Sequence, residues 1–154
     1  MTALDARWPD LAGRIEGSRH ILPVRVYFED TDFSGLVYHA SYLRWCERGR
    51  SDFLRLLGIS HGRLIAPGEH AEPAAFVVRR LEIDYLRPAR IDDVLEVVTD
   101  CAEVTGATIL LAQEIRRADT RLCRLLVKVV LVGQSGRPQR LPPTVREALV
   151  RARA

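Results

Sequence analysis

The sequence predicts an α+β domain in which one long helix lies on one face of an antiparallel sheet. Three observations point there. Only one long segment, residues 40–57, carries helical apolar spacing, with Tyr42, Leu43, Cys46, Gly49, Phe53, Leu54 and Leu57 recurring at steps of three and four. About five segments read instead as strands, by period-2 alternation or by β-branched content. The later strands follow one another largely through tight turns, which leaves no crossover helices for a doubly wound sheet.

Taken in order, residues 1–19 mix charges and two glycines with Trp8, Pro9, Leu11 and Ile15 and read as a loose arm, with a helical turn near Pro9. Residues 23–29 alternate Val24, Val26 and Phe28 with Arg25, Tyr27 and Glu29, a half-buried strand. The turn residues of 30–35 interrupt it. Ser41 is the expected N-cap of the helix and Gly58 its left-handed stop. Gly49 in mid-helix costs about 1 kcal/mol relative to Ala. Such a cost is offset where a helix must approach a sheet closely. Arg44, Glu47, Arg48, Asp52 and Arg55 are expected on the solvent side.

Residues 60–73 form a loop with His61 and His70 and a short helix near His61 to Ile65. Strands follow over 75–86, 94–104, 107–117 and 122–132, with turns at Thr105-Gly106 and at residues 118–120. Pro143 opens a short C-terminal helix or tail over 143–154, so the main domain spans 20–142.

Composition narrows the function. Of the 23 basic residues all but Lys128 are Arg, and the chain has no Asn. That usage reflects GC-rich coding, and the arginines are scattered, so the net charge of +3 argues for no nucleic-acid partner. Cys46, Cys101 and Cys123 have neither CxxC nor zinc spacing and read as small buried hydrophobes of a reducing compartment. No run of apolar residues is long enough for a membrane span, and the protein is read as cytoplasmic.

Chemistry concentrates between Tyr27 and Trp45. Glu29, Asp30 and Asp32 fall within four positions, followed by Gly35, Tyr38, His39 and the helix start. A carboxylate beside a helix N-terminus can attack a carbonyl, or activate water, while backbone N–H groups receive the oxyanion. Glu29 reads as a strand-end charge and Asp30 as a turn acid. Tyr38 and Tyr42 read as pocket wall and core. A metal site in the acidic run lacks organised ligand spacing, and no GxSxG elbow is present.

Two segments, VRVYFEDTDFSGLVYHASYLRWCERGRSDFL and FVVRRLEIDYLRPARIDD, resemble the hotdog-fold acyl-CoA thioesterases of the 4-hydroxybenzoyl-CoA thioesterase superfamily, in particular the YbgC-like branch associated with the bacterial Tol–Pal system. The resemblance implies a curled sheet of about five strands wrapped around the helix, a homodimer or homotetramer paired edge to edge, and an active site between subunits. It implies Asp32 as nucleophile or general base, His39 presenting its backbone N–H to the thioester carbonyl, and Gly35, Tyr38 and Tyr42 around the substrate. Arg79, Arg80, Arg87 and Arg90 are candidates for the phosphates of coenzyme A. No metal or separate cofactor is expected, coenzyme A being part of the substrate; an acyl carrier protein is a further candidate partner. A hotdog module that binds an acyl-CoA or a protein partner without turnover is the competing reading, and a dehydratase a third.

Overall fold

The computed structural model describes residues 3–65 and 72–153. Six strands form one antiparallel sheet in the order β1-β2-β4-β5-β6-β3. They are β1 (Arg14–Glu16), β2 (Arg19–Arg25), β3 (Ala74–Tyr85), β4 (Val94–Val104), β5 (Thr108–Arg117) and β6 (Thr120–Gly133). The helices are α1 (Ala3–Arg7), α2 (His39–Leu56), α3 (His61–Ile65) and α4 (Pro143–Ala152). The sheet thus has six strands, not about five: β1, inside the segment read as an arm, pairs with β2. The architecture is the α+β arrangement of one main helix on a curled sheet.

The first strand runs earlier than expected, ending at Arg25 instead of Glu29. Its buried positions are His20, Leu22 and Val24, and Phe28 is 81% exposed. Local turn chemistry explains the shift: the Asp30 carboxylate accepts the Tyr27 N–H at 2.8 Å and folds Phe28–Asp30 into a 3-10 turn. The two tight turns fall as expected, Ala118 taking a left-handed φ of 51°. The step from β3 to β4 is not tight. Residues 86–93 carry the chain from the sheet's edge to its interior.

Helix α2 packs on β1, β2, β4 and β5. Gly49 makes that approach possible. A Cβ built there would lie 2.9 Å from Val97 Cγ1 and 3.3 Å from Thr99 Oγ1. Gly58, at φ 81°, ends the helix, its N–H bonding Arg55 O while the Ile59 N–H reaches Leu54 O. The expected N-cap is one turn late: the cap is Tyr38, and Ser41 lies inside the first turn, its hydroxyl donating to Asp30 O at 3.2 Å. Tyr38 is held in place by its own N–H, 2.8 Å from Asp30 O.

Polar groups enter the helix–sheet interface. Arg50 Nη1 donates to Gln113 Oε1 at 3.0 Å, and Gln113 Nε2 donates to Cys46 O and Thr99 Oγ1 at 2.9 and 2.8 Å. Asp52, expected to face solvent, is covered by the chain around β1. It accepts the Gly13 N–H at 2.8 Å and lies 2.7 Å from the buried His20 Nε2 and 2.6 Å from Arg55. Burial raises its pKa, but the hydrogen bonds from Arg55, His20 and Gly13 outweigh that and hold it below the usual carboxylate value. The three cysteines are buried, and burial pushes Cys101 to about 11 and Cys123 to about 12. His61 opens α3, whereas His70 lies outside the described residues. Among the described residues no helix is long and apolar enough to cross a membrane.

Because Val97 is β-branched and fully buried, the space at Gly49 cannot open by a simple rotamer change. Gly49→Val is expected to destabilise the fold by about 1–3 kcal/mol through overpacking, despite the better helix propensity of valine. Urea unfolding followed by circular dichroism measures it.

Candidate active site

Residues 30–39 form a compact turn clamped at both ends. Thr31 bridges Val37, and the Asp32 N–H donates to Leu36 O at 2.9 Å. The Gly35 N–H reaches Asp32 O at 3.0 Å, and Gly35 takes a left-handed φ of 80° that a side chain would strain. The chain beyond β3 closes the other side: Leu36 bridges Arg90, and the Val37 N–H donates to Ala89 O at 3.0 Å.

The three acids separate by role. Asp30 is consumed by structure, its carboxylate on the Tyr27 N–H and its carbonyl on the Tyr38 N–H and Ser41 hydroxyl. Glu29 is exposed on the 3-10 turn. Asp32 is exposed, and only one of its carboxylate oxygens is engaged. Oδ1 accepts the Ser34 hydroxyl at 2.5 Å and the Ser34 N–H at 2.8 Å. These two bonds, with a smaller contribution from the nearby His39, hold Asp32 below its ordinary pKa against a small opposing effect of desolvation.

His39 is the first residue of α2. Its ring sits between Tyr38 at 4.5 Å and Tyr85 at 6.4 Å, and its carbonyl accepts the Tyr85 hydroxyl at 2.8 Å. The His39 and Ala40 N–H groups donate to no acceptor among the described residues, as expected for a helix start whose cap side chain makes no bond. Positive helix-end character and free donors therefore begin at His39, the residue close enough to Asp32 to help lower its pKa. Tyr42 is buried in the core. Its oxygen accepts the Ala89 N–H at 2.9 Å, and burial raises its pKa.

The four arginine candidates do not cluster. Arg90 abuts the turn through its bridge to Leu36, and Arg87 lies in the same 86–93 connection. Arg79 and Arg80 sit on β3, with Arg80 paired to Glu82 at 2.5 Å and about 16 Å of strand separating it from Tyr85. Asp93 accepts the Arg90 N–H and pairs with the Arg117 guanidinium at 2.8 Å. Among the described residues no group of three or more His, Cys, Asp or Glu is placed to hold a metal ion.

Ser34, Tyr85 and Arg117 were not singled out in the sequence. Ser34 carried a usable signal, since a serine two residues after an aspartate is a common partner in a carboxylate-capped turn. Tyr85 and Arg117 carried none, because their partners lie 46 and 24 residues away.

The family model of the thioesterase superfamily matches residues 34–124, from within the 30–39 turn through most of the sheet. This chain belongs to the thioesterase superfamily. Within the superfamily it is 43% identical over 127 residues to the acyl-CoA thioesterase YbgC of Haemophilus influenzae, covering 82% of this chain and 90% of the relative. It is 42% identical over 125 residues to the acyl-CoA thioester hydrolase YbgC of Escherichia coli, covering 80% and 90%. Among solved structures, a probable thioesterase from Bartonella henselae superposes with a TM-score of 0.75 at 44% identity, covering 80% of this chain and 99% of that one. The hotdog architecture expected of this thioesterase is therefore the one observed.

Removing the Ser34 hydroxyl removes the largest cause of the low Asp32 pKa. In Ser34→Ala the Asp32 titration is expected to move up toward the ordinary value. Carboxyl-carbon NMR across an acid titration reads it.

Proposed function

We propose that the protein is an acyl-CoA thioesterase that cleaves an acyl-CoA to the free acid and coenzyme A, with Asp32 as the reactive carboxylate. The observation that carries this reading is that Asp32, with one carboxylate oxygen uncommitted, lies within electrostatic reach of His39, whose free N–H opens α2. In the nucleophilic course that oxygen attacks the thioester carbonyl. The carbonyl oxygen becomes an oxyanion held by the His39 N–H, and collapse expels the thiolate, which takes a proton to give coenzyme A. Water then hydrolyses the mixed anhydride and regenerates Asp32. In the general-base course Asp32 takes a proton from water, and hydroxide adds to the same carbonyl. Both use the same donors, and each such donor is worth about 10²–10³ in rate. No metal and no resident cofactor takes part.

In this reading Tyr85 steadies the helix start, because its hydroxyl fixes the His39 carbonyl and so the peptide that carries the Ala40 N–H, next to the oxyanion donor. Gly35 and Tyr38 border the substrate, and Tyr42 supports the turn from below through Ala89. Arg87 and Arg90 are better placed than Arg79 and Arg80 to meet the phosphates of coenzyme A, because the 86–93 connection adjoins the turn. The protein works as a homo-oligomer, since Asp32 is open to solvent in a single chain and β3 leaves one edge of the sheet unpaired. An acyl carrier protein could present the same thioester. A cytoplasmic location and the Tol–Pal association belong to the same reading.

The decisive experiment assays thiol release from a panel of acyl-CoAs by the wild type and Asp32→Asn. Hydrolysis of the best substrate is expected to fall by at least about 10²-fold, the usual scale for a positioned acid–base group. Because Asp32 is exposed, the melting temperature should hardly change. A variant that keeps wild-type rates would exclude Asp32, and binding without thiol release by the wild type would mark a carrier module instead.

A further inference from the structure

Backbone bonds alone close the turn that carries Asp32. The Asp32 N–H donates to Leu36 O, the Gly35 N–H to Asp32 O, and Thr31 bridges Val37. None of these needs the Ser34 side chain. Its hydroxyl donates instead to Asp32 Oδ1 at 2.5 Å, while its oxygen accepts the Leu36 N–H at 3.3 Å. The Ser34 N–H reaches the same Oδ1 at 2.8 Å. Two donors from one residue thus converge on the carboxylate oxygen that does not react, and Oδ2 is left for the substrate.

In the nucleophilic course the charge on Asp32 changes twice. As Oδ2 attacks the acyl carbon, negative charge leaves the carboxylate. Both Ser34 bonds weaken then, because a hydrogen bond to an ionised group is about twice as strong as one to a neutral group. Hydrolysis of the anhydride reverses the movement. Water adds to the acyl carbon, the bond from that carbon to Oδ2 breaks, and its electron pair returns to Asp32. The acid leaves with the oxygen of the water. Of the water's two protons, one balances the proton taken by the thiolate and the other passes to solvent. Both Ser34 bonds strengthen during this step. Donors already aimed at a growing charge lower its barrier. The same two bonds therefore oppose the first half-reaction and favour the second.

We propose that Ser34 is a positioning residue for the second half-reaction, its hydroxyl and N–H holding Asp32 Oδ1 so that Asp32 leaves readily when the anhydride is hydrolysed. The inference rests on the nucleophilic course of the proposed function and assigns a residue to its second step. A merely structural role for the hydroxyl would alter both half-reactions together. Ser34 as the nucleophile, with Asp32 as its base, is the competing assignment, and it requires the hydroxyl in the first half-reaction.

The test separates the half-reactions by rapid mixing. The wild type and Ser34→Ala are each mixed with the best acyl-CoA of the panel, and thiol and free acid are followed in time. In S34A the first release of thiol is expected to be no slower than in the wild type. Formation of acid should be slower by about ten- to a hundredfold, the worth of one hydrogen bond to a charged group. Thiol then appears as a burst stoichiometric with active sites, followed by slow turnover. Hydroxylamine, a stronger nucleophile than water, should speed that turnover and leave the burst rate unchanged. Ser34→Thr, which keeps the hydroxyl, should restore acid formation, and a Thr variant as slow as S34A overturns the proposal. If S34A does not fold, Ser34→Gly, which keeps the N–H and suits a turn, takes its place. Acid formation in S34A at or above the wild-type rate, or an equal slowing of thiol and acid without a burst, overturns the proposal and leaves Asp32 standing. Loss of thiol release in S34A would mark Ser34 as the nucleophile and overturn it as well. Full activity of Asp32→Asn, or a wild type that releases no thiol, overturns the proposed function and the inference together.

Discussion

The contact on which the rest depends is the approach of α2 to the middle of the sheet at Gly49. A helix with a side chain at that position would stand off β4 and β5, and the curled sheet would no longer close on it. Close approach has a second effect. It brings helix backbone within reach of sheet side chains, so Gln113 can bond Cys46 O directly. A polar residue is tolerated in the core there because all of its hydrogen-bonding capacity is used. The same approach fixes the axis of the helix, and with it the place where the helix begins.

Where the helix begins is settled by Asp30 more than by any residue of the helix. Its carbonyl takes the Tyr38 N–H and the Ser41 hydroxyl, and its carboxylate takes the Tyr27 N–H. One acid thus ties the end of the strand segment, the turn and the helix start together, and leaves its neighbour Asp32 outside that framework. The division explains how two acids in a DxD turn can differ so completely in role. The first is fixed by three donors from the turn it organises. The second is held only by Ser34, on one oxygen, with the other free.

What the sequence revealed divides along the same line. Features set by local rules were legible: the spacing of α2, the left-handed Gly58, the β-branched strands and the close approach at Gly49. So was the acidic turn, through its resemblance to a family. Features set by distant partners were not. The alternation through Phe28 looked like a continuing strand because the competing bond from Asp30 to Tyr27 lies in a turn, which periodicity does not register. Asp52 read as a surface charge because nothing near it in the chain predicts Gly13 or His20 as partners. The three residues of β1 were too few to show a period.

The state of Asp32 carries a further consequence for its chemistry. A carboxylate held below its ordinary pKa is fully ionised at neutral pH but is a weakened base and nucleophile, because the bonds that stabilise the anion must be given up as its charge moves onto the carbonyl. In the proposed mechanism Ser34 and His39 therefore serve orientation and ionisation at the expense of reactivity in the open site. Reactivity rises when water is removed from the free oxygen, since desolvation is the one influence on Asp32 that acts in the opposite direction. In a single chain that influence is small because the turn is exposed. An acyl group and a neighbouring subunit laid over the turn would enlarge it. They would also strengthen the pull of the free His39 N–H on a developing oxyanion, because a dipole acts more strongly where water is excluded. In the proposed mechanism the exposed Asp32 carboxylate is thus poorly armed while open and becomes effective when the substrate and its surroundings close over it.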